Sequence, residues 1–130
     1  MKKEMCLLAT ILILACTSCT KEAGFGGLAC IEGKVYATDY TPNSGIIEAE
    51  GYTADMKVII SVVGSSIILD EVRTDLNGSF RFEELRKGDY EIWTFTECDT
   101  CTNNETPVIQ QATISSRNET VTLTDFMINI

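Results

Sequence analysis

Cys98-Asp-Thr-Cys101 is the spacing with the widest chemical reach in this 130-residue sequence. Two thiols three residues apart can cycle as a redox pair, supply half of a zinc site, or close a structural disulfide around a loop. A redox pair needs its first thiolate stabilised, usually at a helix N-terminus. Here the pair follows a strand-like run and is flanked by Glu97 and Asp99, whose negative charge disfavours a thiolate. A structural zinc site needs four ligands; the chain has no His, and beyond the pair only Cys30 lies in the expected domain. A local disulfide between Cys98 and Cys101 is therefore expected, with a thiol-disulfide redox protein as the alternative.

The oxygen ligands and acids give less. Asp70, Asp75 and Asn77 can offer oxygens to Ca²⁺, but the fixed spacing and distal bidentate Glu of a calcium loop are absent. Asp and Asn also occur in turns simply because their side chains bond nearby backbone. Glu83-Glu84 and Asp70-Glu71 are adjacent in sequence, so in a strand their side chains point to opposite faces and cannot flank one bond. With no His, and no nucleophile-elbow, phosphate-loop or dinucleotide motif, no catalytic residue, metal or cofactor is expected.

Trp93 and Phe95 lie on the strand face opposite Tyr90 and Ile92. One pair must face the core. The other is either a minor core beneath the Thr41–Asp55 loop or an exposed patch able to stack on sugar rings or anchor a protein partner.

The positioning frame begins with charge. Ten basic against 19 acidic residues give a formal net charge of −9, and no basic cluster interrupts it, so nucleic acid is excluded as a partner. The same balance argues against docking on an anionic membrane through surface charge. Membrane contact is expected instead from the N-terminus. Lys2 and Lys3 precede Met5–Ala15, an apolar run of 11 residues, too short for the roughly 20 of a spanning helix and apolar on every face. It reads as a signal-peptide core. Ile13-Leu14-Ala15-Cys16 and Cys16-Thr17-Ser18-Cys19 each resemble the bacterial lipoprotein processing box, the first having the aliphatic residue and the second the small ones. That resemblance implies cleavage before Cys16 or Cys19, acylation of that cysteine, and a lipid-anchored place in the bacterial cell envelope, on the periplasmic or surface face of an outer membrane. The expected organisation is a signal peptide at 1–18, a flexible tether at 19–29 spanning roughly 17 Å, and a domain at 30–130.

If Cys16 is acylated, Cys19, Cys30, Cys98 and Cys101 form an even set with three pairings. If Cys19 is acylated, three thiols remain and Cys30 is expected to be buried and unpaired.

From Ile31 onward the pattern is β-like, with strands at 31–36, 56–63, 67–73, around Phe80 and Phe82, 90–96, 108–114 and 120–130. Residues 46–55 read as a polar loop with room for a short strand. Asp75-Leu-Asn77-Gly78 reads as a hairpin turn. About seven short strands with turn signals between them indicate an all-β sandwich, prealbumin-like or immunoglobulin-like.

Thr74-Asp75-x-x-Gly78-x-Phe80-x-Phe82-x-x-Leu85-x-x-Gly88-x-Tyr90-x-Ile92 resembles the hairpin of carboxypeptidase regulatory-like domains, which are transthyretin-like sandwiches; Cna-B-type repeats carry a similar motif. The resemblance implies a non-catalytic module, here an accessory binding domain for an envelope protein or glycan. Transthyretin adds a further alternative, a carrier of a small apolar ligand. Cna-B-type domains can join a first-strand Lys to a last-strand Asn through an isopeptide; Lys34 and Asn129 stand in loosely similar places, with Glu91 or Glu97 as assisting acids, but Lys34 reads more simply as a solvent-facing strand residue. The motif's glycines and aromatics are equally accounted for by turning and packing alone.

Overall fold

The computed structural model describes residues 22–130. The expected signal peptide at 1–18, with the lipidation candidates Cys16 and Cys19, lies outside the described residues. Among the described residues are nine strands: β1 (Phe25–Tyr40), β2 (Ile47–Tyr52), β3 (Lys57–Val62), β4 (Ile68–Arg73), β5 (Ser79–Leu85), β6 (Gly88–Glu97), β7 (Glu105–Ile114), β8 (Thr120–Thr122) and β9 (Phe126–Asn129). A single 3-10 turn, Thr102–Asn104, precedes β7.

The strands form two sheets. In one, the long β1 is the spine. β5 and β2 pair antiparallel with its first and second halves, while β8 and β9 run parallel to it. Val35 donates to Gly78 O and accepts from Thr53 N, which puts β5 and β2 on the same edge of β1. The other sheet is antiparallel in the order β4-β3-β6-β7.

Alternation explains which faces meet. Ile31, Val35 and Ala37 of β1, Phe80 and Phe82 of β5, Val58 and Ile60 of β3, and Tyr90 and Ile92 of β6 all point inward and form one buried cluster with Phe126 and Ile128. This is the expected all-β sandwich.

Several boundaries differ from expectation for physical reasons. The predicted tether at 19–29 ends early, because β1 already pairs at Phe25 and Ala29 is fully buried. The glycines that suggest flexible chain serve a bulge there: a Cβ on Gly27 would run into the Leu85 carbonyl. The polar stretch after residue 46 holds β2, an exposed edge strand held by backbone pairing with β1 rather than by burial. The C-terminal run breaks into β8 and β9.

The largest correction concerns Asn77-Gly78. It does not close a hairpin, because β4 pairs β3 in one sheet and β5 pairs β1 in the other. The turn carries the chain between layers. Gly78 N bonds Asp75 O at 2.9 Å, and Gly78 alone takes positive φ, 71°, where a Cβ would approach Val35 O to 2.7 Å.

The second crossing, from β5 to β6, is fixed by Tyr90. Its buried hydroxyl donates to Arg86 O at 2.7 Å and accepts from Gly24 N at 2.9 Å. Tyrosine tied to backbone just upstream is a recurrent corner device in sandwiches. Here it also fastens Gly24, so the chain enters the domain at a defined point. That end of the sandwich carries the entry, the Arg86-Lys87 turn, the β3–β4 loop and the β7–β8 loop. The far end carries the β1–β2 loop and the Cys98–Cys101 loop.

Candidate functional site

The outer face of the β4-β3-β6-β7 sheet is built around Trp93. Ile59 of β3 and Ile109 of β7 stand directly opposite it on either side, and Pro107 stands opposite Phe95. Cross-strand partners share a face, so these side chains form one apolar strip. Trp93 and Phe95 are half-buried, and Ile109 is 54% exposed. Ile59 is only 6% exposed even though it points away from the core, so its neighbours on this face cover it. On the β4 side the strip is bordered by charge, with Lys57 3.8 Å from Glu71. Of the Thr41–Asp55 stretch, β2 pairs with the opposite sheet, and Asp55 borders a groove beside Phe95.

A second aromatic group, which sequence reading missed, lies on the outer face of the β1 sheet. Tyr36 and Tyr52 meet edge-to-face at 5.3 Å, and Lys34 Nζ sits 4.8 Å from the Tyr52 ring centroid. The Tyr52 hydroxyl donates to Asp125 at 2.7 Å, and that acceptor and its charge raise the phenol's pKa. The alternation Lys34-x-Tyr36-x-Thr38 is the signal that could have revealed it.

Cys98 and Cys101 form the expected disulfide, with Cα atoms 5.4 Å apart. The loop is also held by Cys98 N to Asn104 O and Asn104 N to Cys101 O, at 2.9 and 3.1 Å. Among the described residues no α-helix N-terminus approaches it; a 3-10 turn follows. Replacing both cysteines by serine is expected to lower unfolding free energy by about 1–2 kcal/mol, because so short a closed loop removes little entropy from the unfolded chain. A urea midpoint measurement reads this directly. Among the described residues Cys30 forms no disulfide; it is half-buried, 3.1 Å from an Arg81 guanidinium nitrogen.

The other candidates are not brought together. Asp75 Oδ1 accepts from Asn77 N and Ser79 N at 2.8 and 2.9 Å, occupying it in the turn. Among the described residues no cluster of three acidic or thiol ligands could hold a metal. Glu83 and Glu84 both face solvent rather than opposite sides, because Glu84 takes φ 58°. Lys34 pairs with β5 while Asn129 pairs Thr38 further along β1, and Glu91 and Glu97 belong to the other sheet, so no isopeptide set assembles. A cleft of about 550 Å³ opens where the sheet edges meet, and its lining includes Glu32, Lys34, Arg73, Asp75 and Arg81. Val72 and Phe80 line it as well, so the cleft joins an apolar floor to a charged rim.

No protein-family model and no curated protein matches the sequence. Among solved structures the chain is similar to a Pseudomonas aeruginosa protein provisionally described as carbohydrate-binding, at 21% identity over 75% of this chain and 88% of that one, with a TM-score of 0.48. It is similar to the major pilin subunit of Bacillus cereus at 19% identity over 75% of this chain and 29% of the pilin, TM-score 0.41. The major plantain pollen allergen Pla l 1 is similar at 17% identity over 83% and 94% of the two chains, TM-score 0.42. Likeness at this distance concerns the sandwich and not what it binds.

Proposed function

We propose that the chain is a lipid-anchored, non-catalytic envelope module that binds a protein or glycan partner through the Trp93 face. The observation that carries this reading is the apolar strip of Trp93, Phe95 and Ile109 on an outer sheet face, where a solvated face would be polar. Trp, with Tyr and Arg, is enriched among the residues that carry most of the energy of a binding surface. Anchoring through Cys16 or Cys19 rests on the N-terminal sequence, and kinship with carboxypeptidase regulatory-like domains rests on the Thr74–Ile92 motif.

Replacing Trp93 and Phe95 by Ala is the test. Both are only half-buried and outside the core, so the variant should fold with an unchanged circular dichroism spectrum. Affinity capture from envelopes, with glycan-array binding alongside, is expected to weaken at least about tenfold. Unchanged capture on both would rule this face out.

A further inference from the structure

Asn77-Gly78 sets a side-chain amide beside the one kind of backbone nitrogen that approaches it without hindrance, since glycine has no Cβ. No other asparagine in the sequence precedes glycine. Such a pair reacts with itself. Gly78 N gives its proton to solvent base and attacks Asn77 Cγ; the N–Cγ bond forms, the Cγ–Nδ2 bond breaks, and that nitrogen leaves as ammonia. Water then opens the five-membered imide. Addition at Cγ gives aspartate. Addition at the main-chain carbonyl carbon gives isoaspartate, in which the backbone runs on through the side chain. Water is the co-reactant, and Asn77 is exposed to it.

The folded turn withholds what the reaction needs. Gly78 N has to be free, and instead it donates to Asp75 O at 2.9 Å. It also has to lie against Asn77 Cγ. Asn77 does not take positive φ, so the turn closed by that bond is type I. Ring closure asks for an Asn77 ψ about 120° away from the roughly 0° of position i+2 in such a turn. Turning that far would pull Gly78 from the spine, where Val35 N donates to Gly78 O at 2.9 Å. The Asp75 carboxylate braces the conformation, its Oδ1 accepting from Asn77 N and Ser79 N at 2.8 and 2.9 Å.

We propose that Asn77 is a deamidation site gated by the Asp75 turn, closed in the folded sandwich and reactive wherever the crossing from β4 to β5 opens. The gate works one way. Isoaspartate puts an extra main-chain atom between Asp75 O and Gly78 N. There is no slack to absorb it, because even a Cβ on Gly78 would come within 2.7 Å of Val35 O. It also sets a new carboxylate beside that of Asp75. A chain that has reacted cannot rebuild the crossing as it was, so a passing opening leaves a permanent mark.

The full chain is incubated at mildly alkaline pH, folded in buffer and unfolded in urea. Mass spectrometry follows the peptide that contains Asn77, and enzymatic methylation counts isoaspartate. The unfolded chain is expected to deamidate at Asn77 faster than at any other asparagine. The folded chain should do so at least about a hundredfold more slowly, since only opened molecules react. D75A removes the side-chain acceptor and leaves the Asp75 carbonyl position in place; it is expected to raise the folded-state rate about tenfold. A urea midpoint shows that it is folded under the assay conditions. N77D carries the new carboxylate without the longer backbone and should keep a midpoint near wild type, whereas the chromatographically separated isoaspartate form should unfold at lower urea. Equal rates in folded and unfolded chains, or a folded D75A that reacts no faster, would overturn the gate. An unfolded chain unreactive at Asn77 would overturn the site, and an isoaspartate form as stable as N77D would overturn its one-way action. If D75A does not fold, the comparison of folded with unfolded wild type decides alone.

Discussion

Phe82→Ala is expected to lower the unfolding free energy by about 3–5 kcal/mol, the largest single-residue effect anticipated here. Phe82 is 1% exposed, lies beside Phe80 with ring centroids 5.9 Å apart, and pairs through its backbone with Ile31 on the β1 spine. Truncation removes its contacts and leaves a cavity between two sheets, each already held by its own backbone pairing, so collapse is incomplete. A domain of this size has only about 5–15 kcal/mol to lose. Urea unfolding at constant m-value gives the number. A loss below about 1 kcal/mol would contradict the burial described.

Tyr90→Phe is expected to cost about 2–3 kcal/mol although it removes one oxygen atom. The loss leaves Gly24 N without its 2.9 Å acceptor in a buried position and Arg86 O without its 2.7 Å donor in a part-buried one. Volume is otherwise conserved, so the effect isolates the polar corner. It also has a pH signature. Burial raises the Tyr90 pKa above its ordinary 10.0. The unfolded chain therefore ionises first, and the stability contributed by Tyr90 is complete below pH 10 and is lost as pH rises through the folded value. The gap between wild type and variant should narrow above pH 10. A gap that widens there would mean that Tyr90 is not the buried, neutral donor described. Amide exchange of Gly24 supplies a local readout, since its protection should fall in the variant.

What the sequence disclosed, and what it hid, follows the range of the forces involved. The alternation of Phe80 and Phe82 shows a strand with one buried face because that face needs only its own residues to be recognised. Asn77-Gly78 shows a reversal of direction, but whether the reversed chain pairs with the strand it left or crosses to another layer depends on β1 and β3, distant in sequence. Gly26 and Gly27 read as a flexible tether because a bulge uses the same residues, and only the approach of Leu85 distinguishes the two. The Cys98–Cys101 disulfide was legible since spacing and flanking charge are local. That Trp93 lies between Ile59 and Ile109 was not, because register joins three separate segments.

The spine strand β1 is made first and completed last. Its free edge is covered by β8 and β9, with Val35 through Thr38 waiting for Phe126 through Asn129. The sandwich therefore cannot close until the segment that carries β8 and β9 is free of the ribosome. Nearly every pairing of β1 joins distant parts of the chain, which makes closure slow relative to local helix formation. A polypeptide with this wiring stays open until its last strands arrive, and acquires its rigidity from their addition.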